Sequence, residues 1–259
     1  MRKNVGLKIF AGFVFAFLFV PLLIIVVTSF GTNSTIQFPI EGFTLDWFGK
    51  VFNNESFMNS FLLSLQVAFI ATLLALIIGV PAAYSLARHK VLGRSWIKSF
   101  FLSPTIVPGL VVGYALYQFI VIQFQFPIFQ GLLLGHFLIC LPYVIRVVGS
   151  TIEQLDFSIE EVSWTLGCTK LQTFSKVVLP NITSGIFASF MLAFINSFNN
   201  IPVSQFLSGP GVTMLPTSLM NYIEYNYDPS VSALSVILML GTIVLMVIIE
   251  KSLGLASIS

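Results

Sequence analysis

Charge is what this sequence has least of. Of 259 residues, 12 are Lys or Arg and 10 are Asp or Glu, so 8% are charged, against roughly 25% in soluble domains. So few charges cannot coat a water-facing surface, which excludes a cytosolic or secreted globular enzyme. A net charge of +2 is too small for a nucleic-acid-binding protein by composition. Cysteine is almost absent: Cys140 and Cys168 form neither a disulfide framework nor a metal-ligand set. Catalytic signatures are missing too. No Gly-x4-Gly-Lys-Ser/Thr phosphate loop occurs, and the one Gly-Lys pair, Gly49-Lys50, has Thr44 where the first glycine belongs. Neither a His-Glu-x-x-His zinc helix nor a Gly-x-Ser-x-Gly elbow is found. An enzyme that hydrolyses ATP, or a membrane-embedded protease or lipase, has no motif behind it.

What the chain does contain is apolar surface. Hydrophobic residues make up 56%, with 27 phenylalanines, and disordered chains are poor in both. Marking the charges leaves five charge-free stretches, 9–40, 56–87, 99–145, 177–223 and 229–249. A hydrocarbon core of about 30 Å needs roughly 20 helical residues. The third stretch would reach about 70 Å as one helix, so it must hold two spans, with the turn marked by Gln123, Gln125 and Pro127. The fourth is broken by Asn196, Asn199, Asn200 and Pro202, then by Ser208-Gly209-Pro210-Gly211, and reads as one span followed by an irregular external loop. The expected architecture is an all-α integral membrane domain of six helices, near 9–30, 57–86, 99–121, 128–149, 178–198 and 230–250. Its first helix follows Arg2, Lys3 and Lys8 but is too long for a signal core and lacks a small-x-small cleavage site. Eleven of the 12 Lys and Arg residues fall on one side of this topology and only Lys50 on the other. The positive-inside rule then puts both termini in the cytoplasm, most simply as a multi-pass protein of a bacterial inner membrane.

Long connections in compact proteins are usually functional, and three stand out: external 31–56, external 199–229, and cytoplasmic 146–177. Within the last, Ser158-x-x-Glu161 has the form of a capping box. Ile159, Val162 and Leu166 follow as one apolar stripe. Gly167 stands where a helix ends in a left-handed residue, and Thr169-x-x-Gln172 offers a second capping box. The segment 153–177 is therefore read as a short amphipathic helix, a glycine turn and a second helix feeding the fifth span. An apolar stripe on a cytoplasmic helix needs a cover. A partner protein would supply one; so would lipid, if the helix lay at the interface. Glu153, Asp156, Glu160 and Glu161 make it too acidic for the Lys- and Arg-rich interfacial kind.

The run Glu161-Val162-Ser163-x3-Gly167-x9-Val177-x-Leu179-Pro180 resembles the "EAA" loop, Glu-Ala-Ala-x3-Gly-x9-Ile-x-Leu-Pro, of permease subunits of binding-protein-dependent ABC importers. Val162 and Ser163 replace the two alanines, and Val177 replaces isoleucine. The stretches 135–142, 207–210 and 228–234 look like those of the spermidine/putrescine branch and its relatives. The resemblance implies a type I importer permease fold, with Ser158, Glu161, Val162, Ser163, Trp164, Leu166, Gly167, Leu179 and Pro180 coupling to an ATPase. It also implies partners: two ATPase subunits that bind ATP and Mg, a second and related permease chain, an external solute-binding protein, and the surrounding lipid. No cofactor is expected in this chain.

Asn196, Asn199 and Asn200 are candidates for the translocation path. Polyamine permeases of the family tend to have acids there. Amides in their place suit a polar neutral or zwitterionic solute, so the expected cargo is a small polar solute, with a polyamine possible but not preferred over an opine or an amino-acid-like one; asparagines also commonly terminate helices. Tyr222, Glu224, Tyr225 and Asp228 are candidates for the external mouth or a binding-protein contact. His136 is the one ionisable side chain deep in the third stretch, read as a neutral, hydrogen-bonded packing residue. Gly109-x3-Gly113 and Gly131-x3-Gly135 permit close helix approach, and packing within the chain is the simpler use. Pro104 and Pro108 could hinge the third helix. The rival class is a stand-alone secondary transporter or membrane scaffold, but the inverted repeats and intramembrane charges frequent in secondary transporters are not seen in the sequence.

Overall fold

A computed structural model describes residues 5–88, 93–103 and 106–253. Arg2, Lys3, Lys90 and Pro104, used above for topology and hinging, lie outside them. Among the described residues the regular elements are helices, with one isolated bridge between Gly209 and Val212. It divides into two compact units, Asn59–Thr217, and Met1–Met58 with Ser218–Ser259.

The terminal unit holds α1 (Val5–Thr28), the short α2 (Asp46–Phe52) and α13 (Ser230–Leu253). Helix α1 is apolar all round and its span residues are unburied within the chain, as suits a helix solvated by lipid. Thr28 Oγ1 donates to Ser232 Oγ at 3.1 Å, tying α1 to α13. Between α1 and α2 the chain is closed by Trp47 Nε1, which donates to the Gly31 carbonyl at 2.7 Å, and by Phe30, stacked on Phe43 and tilted against Phe48.

In the larger unit lie most of α3 (Glu55–Arg88), then α4 (Arg94–Leu102), α5 (Gly109–Leu116) with a π turn Tyr117–Gln123, and α6 (Ile128–Gln154). The segment expected to be cytoplasmic follows as α7 (Ser158–Thr165) and α8 (Lys170–Thr173). A π turn, Phe174–Val178, leads into α9 (Leu179–Asn181) and α10 (Thr183–Phe198), then α11 (Ile201–Phe206) and the start of α12 (Leu215–Tyr225). One apolar core joins α3, α6 and α10 through small residues such as Ala71, Ala75, Ala83 and Ala193 set against Val144, Val148 and Ile152. A second gathers Val67, Leu132, Ile139, Val203, Leu207 and Met214.

Among the described residues, three helices are long and apolar enough to cross a membrane: Gly6–Thr28, Glu55–Arg88 and Ile128–Gln154. Lys170–Asn181 and Thr183–Phe198 together would make a fourth, bent by 71°. Two expectations need correction. The third helix is not continuous over 99–121: α4 ends at Leu102, and Pro108, having no N–H, starts α5 as its N-cap. The loop 199–229, expected to be external and irregular, is not irregular, since α11 and α12 both lie in it. Its start was legible: Asn200 Oδ1 accepts from Val203 N–H at 3.0 Å, and Pro202 sits in the first turn, a standard way to open a helix.

Both Gly-x3-Gly pairs pack within the larger unit. A Cβ on Gly113 would lie 2.6 Å from the Pro202 carbonyl oxygen, and one on Gly135 2.6 Å from Leu207 Cδ1. The glycines let α11 lie against α5 and α6.

Candidate functional site

The segment 153–180 is built from local chemistry. Helix α7 does not start as the capping box foretold. Phe157 is the N-cap residue and makes no side-chain cap, while Ser158 is already helical. The cap function falls to Asp156, whose Oδ1 accepts from Ser158 N–H at 2.9 Å. That bond, from backbone and then hydroxyl of Ser158, holds the exposed Asp156 carboxyl below the usual carboxylate range. An aspartate accepts from the amide two residues on more strongly than a serine hydroxyl does. The C-terminus behaves as expected: Gly167 has φ +89°. Its N–H donates to Trp164 O at 2.9 Å, and Cys168 N–H donates to Ser163 O at 3.0 Å, the paired bonds of a Schellman turn. The second capping box also forms, with Thr169 N–H on Gln172 Oε1 and Gln172 N–H on Thr169 Oγ1.

The two faces of α7 differ. Glu161, Val162 (56% exposed) and Leu166 (79% exposed) point away from the chain, as does Leu171 (75% exposed) on α8. Ser158, Gly167 and Pro180 are exposed as well. Ser163, grouped with the outward-facing residues from the motif, is instead buried: its hydroxyl lies 2.6 Å from Thr173 Oγ1 and donates to Glu160 O. It braces α7 against α8. Trp164 is half-buried and packs edge-on against Phe157, and Leu179 packs on the α3–α6–α10 core.

Sequence reasoning missed the buried side of α7. Glu160 is 0% exposed. Its carboxylate pairs with Arg88 Nε at 2.7 Å and accepts from the Tyr84 hydroxyl at 2.6 Å. Arg88 Nη2 also donates to Leu155 O at 2.8 Å, and its guanidinium lies 5.3 Å over the Phe157 ring. Tyr84 packs on Phe174 at 4.9 Å. The only hint in the sequence was Tyr84-x3-Arg88, one helical face at the end of α3.

The other candidates separate. Asn196 Nδ2 donates to the Tyr143 hydroxyl at 3.0 Å. Asn199 is the exposed C-cap residue of α10, and Asn200 caps α11. The reading of asparagines as helix terminators thus applies to Asn199 and Asn200. At the other site Asp228 is buried, accepting from Lys50 Nζ, from the Tyr222 hydroxyl at 3.0 Å and from Ser230 N–H at 3.1 Å. Burial pushes its pKa up, but these bonds outweigh burial and hold it below the usual range. The bond to Asp228 in turn raises Lys50. Asp228 is thus neutralised rather than offered to a cation, whereas Glu224 and Tyr225 are exposed. His136, fully buried, is hydrogen-bonded by Nδ1 to Ser197 Oγ (2.8 Å) and by Nε2 to Ser204 Oγ (3.2 Å), as a packing residue would be.

The geometry is that of a helical chain with long apolar helices and an exposed, glycine-terminated amphipathic helix among them. Residues 75–252 match the family described as binding-protein-dependent transport system inner membrane component, and the chain belongs to that family. It is 31% identical over 87% of its length to the putrescine transport system permease protein PotI of Escherichia coli K12, covering 82% of that protein. To the spermidine/putrescine permease protein PotC of the same strain it is 28% identical, over 90% of this chain and 88% of PotC. A putative 2-aminoethylphosphonate permease protein, PhnV of Salmonella typhimurium, is 25% identical over 91% of this chain and 89% of its own. The fold matches a bacterial ABC transporter that imports alginate, with TM-score 0.74 at 16% identity, covering 96% of this chain and 95% of that one. It also matches the MetNI methionine ABC transporter, with TM-score 0.60 at 18% identity over 75% and 91%. The chain is thus a permease component of an ABC importer with the type I fold.

Proposed function

We propose that this chain is one of two related permease subunits of an ATP-driven importer that carries polyamines across a bacterial inner membrane. Two ATPase subunits, binding ATP and Mg, work from the cytoplasm, and an external binding protein delivers the solute. The chain crosses six times with both ends inside; α5 with its π turn and α13 are the spans of lesser apolar length. The observation that carries the reading is the outward face of α7. Glu161, Val162 and Leu166 are exposed on a helix whose other side is anchored, as a docking helix for an ATPase requires. Gly167 lets the chain reverse so that only this tip projects.

Similarity to putrescine and spermidine permeases favours a polyamine over an opine or an amino-acid-like solute. The amides of 196–200 do not argue against it, because Asn200 is occupied as a cap and Asn196 by Tyr143. The test is reconstitution with the ATPase and binding protein, offering putrescine, spermidine and 2-aminoethylphosphonate in parallel. Saturable, ATP-dependent uptake of the polyamines is expected. Uptake of the zwitterion alone would overturn the substrate class, and failure of any ATPase chain to co-purify would overturn the importer reading.

A further inference from the structure

The covalent route from α7 to the fifth span is compliant. It passes the Gly167 turn, the π turn Phe174–Val178 and the 71° bend before α10. A displacement of α7 delivered along this path would be partly absorbed in its joints. From the side, however, α7 is tied to α3 by the ion pair to Arg88 and the hydrogen bond from Tyr84, both converging on Glu160. Helix α3 is one continuous element of 34 residues, about 50 Å at the α-helical rise, which is long enough to carry a movement at one end through the whole bilayer.

We propose that Glu160 is a positioning residue that latches α7 to the cytoplasmic end of α3, so that movement of the docking helix is delivered to the second span as well as to the fifth. The inference rests on the reading of α7 as the ATPase-docking helix. Its geometry is that of a joint. Glu160 and Glu161 are adjacent, about 100° apart on the helix; one is sealed inside and the other exposed. The guanidinium is held on three sides, by the Glu160 carboxylate, by Leu155 O and by the Phe157 ring, which fixes its direction as well as its distance. A buried ion pair is a poor device for stability, since an apolar pair of the same size often does as well. Two side chains 72 positions apart that meet in a buried ion pair, with Tyr84 donating to the same carboxylate, do hold two elements in one register.

The test uses the assembled complex and reads the ratio of ATP hydrolysis with and without loaded binding protein. Glu160→Gln keeps the shape and removes the charge. Arg88→Met with Glu160→Met removes the pair without leaving a charge stranded. In both, the ATPase chain should still co-purify, while the ratio falls about 5-fold or more, the scale of energetic coupling between sites. Tyr84→Phe, which removes one O–H donor from Glu160, should lower it about 2- to 10-fold, the worth of one hydrogen bond. A double variant with the wild-type ratio would mean that the pair only fills space, and overturns the latch. Should the double variant fail to reach the membrane, Tyr84→Phe decides: a lowered ratio supports the latch and the wild-type ratio overturns it. A wild-type complex from which no ATPase co-purifies fails the docking reading itself, and the latch with it.

Discussion

Replacing Gly113 by alanine separates a glycine required by packing from one tolerated in a helix. Alanine favours an exposed helix interior by about 1 kcal/mol over glycine, so an open position should gain stability. At Gly113 the new Cβ would stand 2.6 Å from the Pro202 carbonyl oxygen and 3.1 Å from the Pro202 carbonyl carbon. Relief of roughly 0.6 Å must come from backbone, because carbon and oxygen need about 3.2 Å to avoid overlap, well inside the optimal separation of non-bonded atoms. Helix α11 cannot simply retreat. It is pinned by the Asn200 cap, and Leu207 beyond its end is seated on Gly135. Overpacking of this kind costs about 1–3 kcal/mol. Less the propensity gain, Gly113→Ala should destabilise by up to about 2 kcal/mol, or up to about 8 °C in unfolding midpoint for a chain of this size. Gly135→Ala should cost less, since the atom it meets is the end of a leucine side chain, and Gly149→Ala, with nothing within 4 Å, should be neutral or stabilising. The assay is thermal unfolding of the detergent-solubilised complex, followed by tryptophan fluorescence. Equal midpoints for Gly113→Ala and Gly149→Ala would refute the close approach of α5 and α11.

Gly167→Val should insert and assemble normally yet lose solute-stimulated ATP hydrolysis, because valine at φ +89° is strained by about 1–3 kcal/mol; normal stimulated uptake would count against the turn's role. His136→Leu removes the imidazole partner of the buried Ser197 hydroxyl, while Ser204 keeps its bond to the Asn200 carbonyl, and should cost about 1–3 kcal/mol with the KM for solute unchanged. A raised KM with unchanged stability would place His136 in the pathway instead. The Lys50–Asp228 pair bears on pH. Asp228 is depressed, so its contribution is present above the unfolded value of about 3.9 and lost as pH falls through the lower folded value. Lys50 is raised, so its contribution is present below about 10.4 and lost as pH rises through the higher folded value. Stability should therefore depend on the pair between these limits. Because Lys50 is half exposed, Lys50→Met should cost no more than about 1 kcal/mol there, read as a change in unfolding midpoint at pH 7 that shrinks once the pH falls below the unfolded carboxylate value of about 3.9.

Local and compositional facts were legible without coordinates. Eight per cent charge and the spacing of charge-free stretches define a helical membrane chain, because the bilayer requires apolar runs of a set length whatever the fold. Gly167, the Thr169-x-x-Gln172 box and the order helix–turn–helix could be read for the same reason: a cap involves residues three or four apart. The errors came where one local signal competed with another. Ser158 and Asp156 could each open α7, and only the backbone course decides which accepts the amide. Asn200 with Pro202 is a helix start that was taken for loop because polar residues surround it. Beyond those, Glu160 meets Tyr84 across 76 positions, and His136 meets Ser197 and Ser204 across 61 and 68. Pairings at such separations leave no periodicity to detect. Which of two adjacent glutamates turns inward, and which asparagine is already occupied, was decided only by tertiary packing, because a buried polar group must find its partner wherever the fold brings one near.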